Sequence, residues 1–457
     1  MPDVSRTSSA PDRRGATALI VFTTVVLLIL IYRETPHLNG SPYWVWSYRH
    51  LDVARVGVAL GCGAIPFFLA RWAVTRGLSI RWALPVVASA TFALQLAAIG
   101  LMDAPFGFGE IIDIIRSEAA TSYFSDAEKS IADGVSVREF ISTFPDRMPN
   151  LGGHNRNKPP GLTLYHWLFI CMSSNAKSAA LLAGVCIAFL TALSVPLTFW
   201  MMRTLQASTQ ASWEAASFVA LSPGLILIFP EFDQTFTLFT CLLIGTWSLA
   251  VRGRGARDAC LFGIVLAVTL FFTFNILVIG AFLVGYAILH RPAIGIRRLV
   301  VISIIALITV AAVYSATGLA TGYNPVTTFV QAIHMQHVNL QSLPRPWPQT
   351  IGWDLNEFAL TTGWLGYGVL GAACIRVSRS RVWRAVIGIV VLQLLITAIS
   401  GLLQAEAARL WLFLVPVLSI AVGLEVEHWT RREREIFHIC RVILLLAVCQ
   451  KMQFIIV

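Results

Sequence analysis

The sequence predicts an all-α fold, a polytopic transmembrane bundle of about 13 helices forming a single domain over residues 1–457. Three observations carry this. Of the 457 residues, 56% are hydrophobic and only 13% charged, whereas a soluble domain is about half apolar and about a quarter charged. Apolar runs of about 17–25 residues, enough to cross a hydrocarbon core of about 30 Å, recur down the chain. Arginines and lysines gather in short clusters between those runs, the pattern left by the positive-inside bias. A soluble chain of this length would suggest two or three domains; here the pattern implies one bundle with long loops on one side.

In order, the spans fall near 16–32, 54–71, 82–102, 178–202, 213–229, 233–251, 258–273, 276–289, 298–316, 353–375, 383–404, 408–426 and 438–457. The first follows Arg13 and Arg14 and reads as a signal anchor rather than a cleaved leader. Segment 161–173 is apolar but too short to cross, which makes it interfacial or re-entrant. Residues 258–289 agree best with two short antiparallel pieces broken near Asn275. No repeat of fixed period is visible.

The net charge of +10 does not mark a nucleic-acid partner, because the cations lie between apolar runs. The eight cysteines form no CxxC pair and read as buried free thiols. With Arg13 and Arg14 in the cytoplasm, strict alternation puts Arg71, Arg76, Arg81, Arg203, Arg252, Arg254, Arg257, Arg291, Arg297 and Arg298 inside. Arg376, Arg379, Arg381, Arg384, Arg431, Arg432 and Arg434 fall on that side too. One miscounted span would invert everything after it, so the agreement supports the orientation. The outer side receives the long loop 103–160, the turn Pro230-Glu231-Phe232-Asp233, the loop 317–352, and Glu406 with Arg409.

Loop 103–160 carries Asp103, Glu110, Asp113, Glu118, Asp126, Glu128, Asp133, Glu139 and Asp146, then His154-Asn155-Arg156-Asn157-Lys158-Pro159-Pro160-Gly161. At a membrane surface a carboxylate can deprotonate a hydroxyl or hold a divalent cation. Arg and Lys can bind phosphate, one as a planar fork and the other as a point charge. The plain alternative is a solvated loop with scattered charges. Asp233 stands between apolar segments, where charge is functional or paired, or it simply caps a helix. Glu406 and Arg409, one helical turn apart, pair with each other, or Arg409 grips a lipid phosphate. His334 and His337 have metal-ligand spacing if helical, but without a third ligand they read as surface histidines. Trp44, Trp46, Trp347 and Trp353 fit an interfacial aromatic belt.

Four stretches resemble the GT-C glycosyltransferases, relatives of the protein O-mannosyltransferases and the lipid A aminoarabinose transferases. Ser122-Tyr123-Phe124-Ser125-Asp126-Ala127 resembles their acidic first-loop motif. His154 through Gly161, with Leu164-Tyr165-His166-Trp167-Leu168, resembles their Lys-Pro-Pro element, the most specific of the four. Pro230-Glu231-Phe232-Asp233 resembles the second acidic motif. Ala405-Glu406-Ala407-Ala408-Arg409-Leu410-Trp411-Leu412-Phe413-Leu414-Val415-Pro416 resembles the late Glu/Arg element of bacterial relatives. Two departures stand out. The acidic pair expected before the first-loop tyrosine is absent, leaving Glu118 as the nearest acid, and Phe272-Thr273-Phe274-Asn275 lacks the lysine of the matching family stretch.

The resemblance implies a GT-C bundle with juxtamembrane helices in loop 103–160. Its activity would be transfer of a sugar from a polyprenyl-phosphate donor to a glycan, lipid or protein acceptor. The base is left among Glu110, Asp113, Glu118 and Asp126, with Glu118 and Asp113 the first choices. Asp233 would orient the site or help bind a metal, Mg or Mn. Lys158, Arg156 and Arg409 would contact phosphate, His154 the sugar or acceptor, and Tyr123 and Glu406 the substrate. The implied location is a plasma membrane of bacterial inner-membrane type, with a cytoplasmic N-terminus. Two rival functions remain open: a transporter or flippase, and an inactive GT-C-like protein that binds lipid.

Overall fold

The computed structural model describes residues 14–41, 44–45, 47–48, 53–100, 107–253, 255–342, 347–376, 380–404 and 406–453. Arg13, Trp46, Asp103, Arg254, Arg379 and Ala405 lie outside the described residues. The architecture is all-helical. The only strands among the described residues are two-residue pieces, Gly40–Ser41 paired with Trp44–Val45 and Ser47–Tyr48 paired with Met452–Gln453.

Among the described residues, six helices are long and apolar enough to cross a membrane: Ile80–Gly100, Ala176–Thr204, Phe232–Arg252, Asn275–Ile294, Ile296–Thr321 and Arg381–Ser400. The pair Gln349–Thr362 and Leu365–Ile375, bent by 104°, makes a seventh if counted as one broken span. These seven coincide with expected runs. The remaining six expected runs are helical where described but do not reach spanning length and apolarity among the described residues, so six or seven spans are shown by length and composition and the expected 13 are not. The run 213–229 divides into Thr209–Ala220 and Pro223–Leu227, because a proline cannot continue the preceding helix. The run 408–426 divides into Ala407–Leu410, Leu412–Leu414 and Val415–Val426, with Pro416 in the first turn of the last piece. The last run begins inside Arg431–Lys451, whose first turns are charged and held by a Thr430–Glu433 capping box, and its residues 454–457 lie outside the described residues. Ala256–Phe272 stops at 17 residues, and the chain breaks as expected near Asn275. Segment 161–173 is the 12-residue helix Gly161–Met172.

Burial separates core helices from peripheral ones. In Phe232–Arg252 the apolar window is 78% buried, against 17% for Ile296–Thr321. Leu307, Ile308 and Leu319 of the latter are more than half exposed. An apolar helix bare on most of its circumference suits a lipid surround.

Neither expected long loop is irregular. Loop 103–160 folds into Gly109–Arg116, Tyr123–Ala132, Val137–Ser142 and Phe144–Arg147. Ile111, Ile114 and Ile115 bury one face of the first of these. Within 317–352 stands the 18-residue helix Pro325–Ser342. Its start is set by Asn324, whose Oδ1 accepts the Val326 and Thr327 N–H groups at 3.1 Å, with proline next in line.

A buried polar knot ties three helices together at the far end of Ile80–Gly100 from these segments. Arg71 donates to Glu214 at 3.1 Å and to Glu435 at 3.0 Å, and Glu214 also meets the His438 ring at 2.8 Å. Charges this deep persist only when paired.

Candidate active site

The four expected outer segments meet around one cavity of about 300 Å³. Its charged lining comprises Arg156, Lys158, Asp233, Glu406 and Arg409, with His154 and Tyr123 beside them. The turn 152–158 delivers His154 and Lys158, and its shape follows from local bonds. Asp126 accepts the Gly152 N–H at 3.1 Å and the Asn155 Nδ2–H at 2.8 Å. Asn155, fully buried, also exchanges hydrogen bonds with the Thr163 hydroxyl at 2.8 and 3.1 Å. Glycine is required at 152, because a Cβ there would lie 2.2 Å from the Ser122 Cβ.

Arg409 is the hub. Its guanidinium lies 3.3 Å from Asp233 Oδ2, 3.3 Å from Glu231 Oε1 and 2.6 Å from Glu406 Oε2. It also donates to the Ala120 carbonyl at 3.3 Å and to His154 Nδ1 at 3.0 Å. Guanidinium can only donate, so Nδ1 is the bare acceptor nitrogen and Nε2 carries the ring proton. Burial, then the Arg409 charge, lowers His154 to about 3, which leaves the ring neutral. Burial pushes Glu231 up to about 8 in spite of the guanidinium, with Asp233 and Glu406 adding to the rise. Glu231 therefore keeps its proton at neutral pH and meets Arg409 as an uncharged acceptor. Burial, the largest influence on Glu231, outweighs its 3.3 Å contact with the guanidinium. Tyr123, stacked on His166 at 6.4 Å, is held far above its ordinary value by burial and by Asp233, so its hydroxyl remains a donor.

The turn bearing Glu406 and Arg409 hangs from helix Gln349–Thr362. Glu357, fully buried, accepts the Ala407 N–H at 2.6 Å, and the Thr361 hydroxyl donates to the Ala408 carbonyl at 2.5 Å. The clamp grips the two residues that follow Glu406, a non-glycine residue at φ 52°.

Lys158 stands apart. Only 7% exposed, it lines the cavity without a side-chain hydrogen bond or ion pair among the described residues. Burial lowers it from 10.5 to about 8, with Asp233 the main opposing influence. Asp233 is complementary: 2% exposed, with its Oδ1 buried and unpartnered.

Of the expected site residues, His154, Arg156, Lys158, Tyr123, Asp233, Glu406 and Arg409 come together. Glu110, Asp113, Glu118 and Asp126 do not line the cavity. Asp113 is exposed because its helix buries its isoleucines instead, Glu118 is exposed in the turn beyond that helix, Glu110 is half-exposed, and Asp126 is occupied by the 152–158 turn. His334 and His337 are exposed, and no three His, Cys, Asp or Glu side chains group as metal ligands among the described residues. The three acids that do converge surround Arg409. Sequence reasoning missed Glu231, Glu357, Gln336, Asn339 and Gln404 as site residues. Only the Asn324-Pro325 helix start pointed toward Gln336 and Asn339.

No protein-family model matches the chain, and no curated protein matches it either.

Proposed function

We propose that the protein is a GT-C-type membrane glycosyltransferase that moves a sugar from a prenyl-phosphate donor to a hydroxyl acceptor. The single observation that supports this most is the pairing, in one cavity, of a buried lysine and a buried carboxylate oxygen, Lys158 and Asp233 Oδ1, neither with a partner among the described residues. A glycosyl phosphate attacked by a hydroxyl needs both. The acceptor hydroxyl loses its proton to Asp233 Oδ1 as its oxygen bonds to the anomeric carbon, and the bond from that carbon to the phosphate oxygen breaks. Prenyl phosphate leaves with the electron pair, its charge met by the Lys158 ammonium and the Arg409 guanidinium. This reading moves the base from loop 103–160 to Asp233, because the loop acids do not line the cavity. It takes the cavity to face away from the cytoplasm, in keeping with the basic clusters.

Purified full-length chain in nanodiscs, given radiolabelled C10 prenyl-phosphate sugars and membrane extract, should yield labelled product. Asp233→Asn should lower turnover by about a hundredfold or more, the usual worth of a general base. Chelator in a parallel reaction decides whether a divalent cation takes part. Product formation unaffected by Asp233→Asn overturns the assignment. A bent pair of helices is also a transporter feature; donor flux across proteoliposomes with no glycosyl product would favour that function instead.

A further inference from the structure

Five side-chain amides share the cavity with the charged groups: Asn157, Asn275, Gln336, Asn339 and Gln404. They arrive from four separate segments of the chain, so the gathering is a property of the fold and not of one polar stretch. Gln336 and Asn339, one turn apart on helix Pro325–Ser342, present the same face as Leu340. Internal bonds hold the wall, one of them from Gln404 Nε2–H to the Gly401 carbonyl at 2.6 Å. Asn157 Nδ2–H donates to Gln336 Oε1, and Gln336 Nε2–H donates to the Leu402 carbonyl at 3.1 Å. What remains is matched for recognition: Asn157 Oδ1, an acceptor, and Asn275 Nδ2, a donor, are both buried without partners.

Buried polar groups left unpaired are costly, so a ligand that fills them is favoured. The ligand must donate at one point and accept at another. Each carbohydrate hydroxyl does both, and neighbouring hydroxyls fit the paired oxygen and N–H of an amide. Among the described residues Tyr123 is the only phenylalanine, tyrosine or tryptophan in the lining, so a planar base would find little to stack on besides the Tyr123 and His154 rings. A phosphate would take the ammonium of Lys158 over a neutral amide.

We propose that these amides form a hydroxyl-reading subsite that selects the neutral sugar carried on the donor. The subsite rests on the transferase reading and adds to it the part of the cavity that distinguishes one sugar from another.

The test is binding to full-length chain in nanodiscs. The probes are bare C10 prenyl phosphate and the same lipid phosphate carrying glucose, galactose or mannose, which differ in the orientation of single hydroxyls. Wild type should separate the three sugars by about two- to tenfold per misplaced hydroxyl. Asn275→Leu, with Asn339→Leu as a second variant, should bind bare prenyl phosphate as wild type does while the separation among sugars collapses. Lys158→Met should weaken all four probes alike. Wild type that binds the three sugars equally, or amide variants that keep the separation, overturns the subsite alone. Wild type that binds none of the four probes overturns the transferase reading and the subsite with it.

Discussion

Replacing Lys158 with methionine should make the protein more stable and less active at once. The ammonium is buried without an ion-pair partner, and its ordinary value of 10.5 falls to about 8. At about 1.4 kcal/mol for each tenfold in the protonation equilibrium, that difference makes the buried charge cost about 3 kcal/mol at pH 7. Methionine fills similar space, carries no charge and returns most of that cost. The sign with pH follows from linkage. Between about 8 and 10.5 the unfolded chain holds the proton that the folded chain has released. Wild-type stability therefore rises with pH through this window, and the advantage of Lys158→Met shrinks over the same range. Transfer should fall by at least about tenfold, or about 1.4 kcal/mol of transition-state stabilisation. Thermal unfolding followed by tryptophan fluorescence at pH 7 and pH 10, paired with radiolabel transfer, checks both halves. A variant that melts lower than wild type at pH 7, or that transfers normally, would refute the reasoning.

Three further outcomes follow from the geometry. Wild-type kcat/KM for donor should decline above pH about 8 as Lys158 loses its proton; Glu231 titrates in the same window beside Arg409, Asp233 and Glu406, so Glu231→Gln should keep that decline if Lys158 is its source. Asp126→Ala and Asn155→Ala should each cost about tenfold in transfer, with the double variant little worse than either, because both act through one turn. Glu357→Ala should orphan the Ala407 N–H at a cost of about 1–3 kcal/mol and speed amide exchange across residues 401–414, whereas Glu357→Gln, which keeps an acceptor oxygen, should restore protection.

The apolar runs were legible because hydrocarbon thickness leaves a length signal, and seven of them reappear as long helices or a bent pair. Breaks within runs were not. Pro223 and Pro416 interrupt two stretches whose mean apolarity gave no warning, and Trp364 turns a third from a positive φ of 55°. At the site, residues marked by charge beside apolar sequence, namely Lys158, Asp233 and Arg409, were found. The acids that the resemblance put first, Asp113 and Glu118, were not brought to the cavity, since a motif's place in the sequence does not say which side chains turn inward. Asn275 was marked only as a break between helices, and Asn157, Gln336 and Glu357 were not marked as site residues, because a lone amide or carboxylate becomes a contact only once distant segments meet.

The central claim is that phosphate binds at Lys158, and a structure of the full chain with C10 prenyl phosphate bound tests it most directly. The account predicts phosphate oxygens within about 4 Å of Lys158 Nζ, the reach of an ion pair, with the prenyl chain leaving the cavity toward lipid. Phosphate bound elsewhere, with Lys158 still unpartnered, would contradict it.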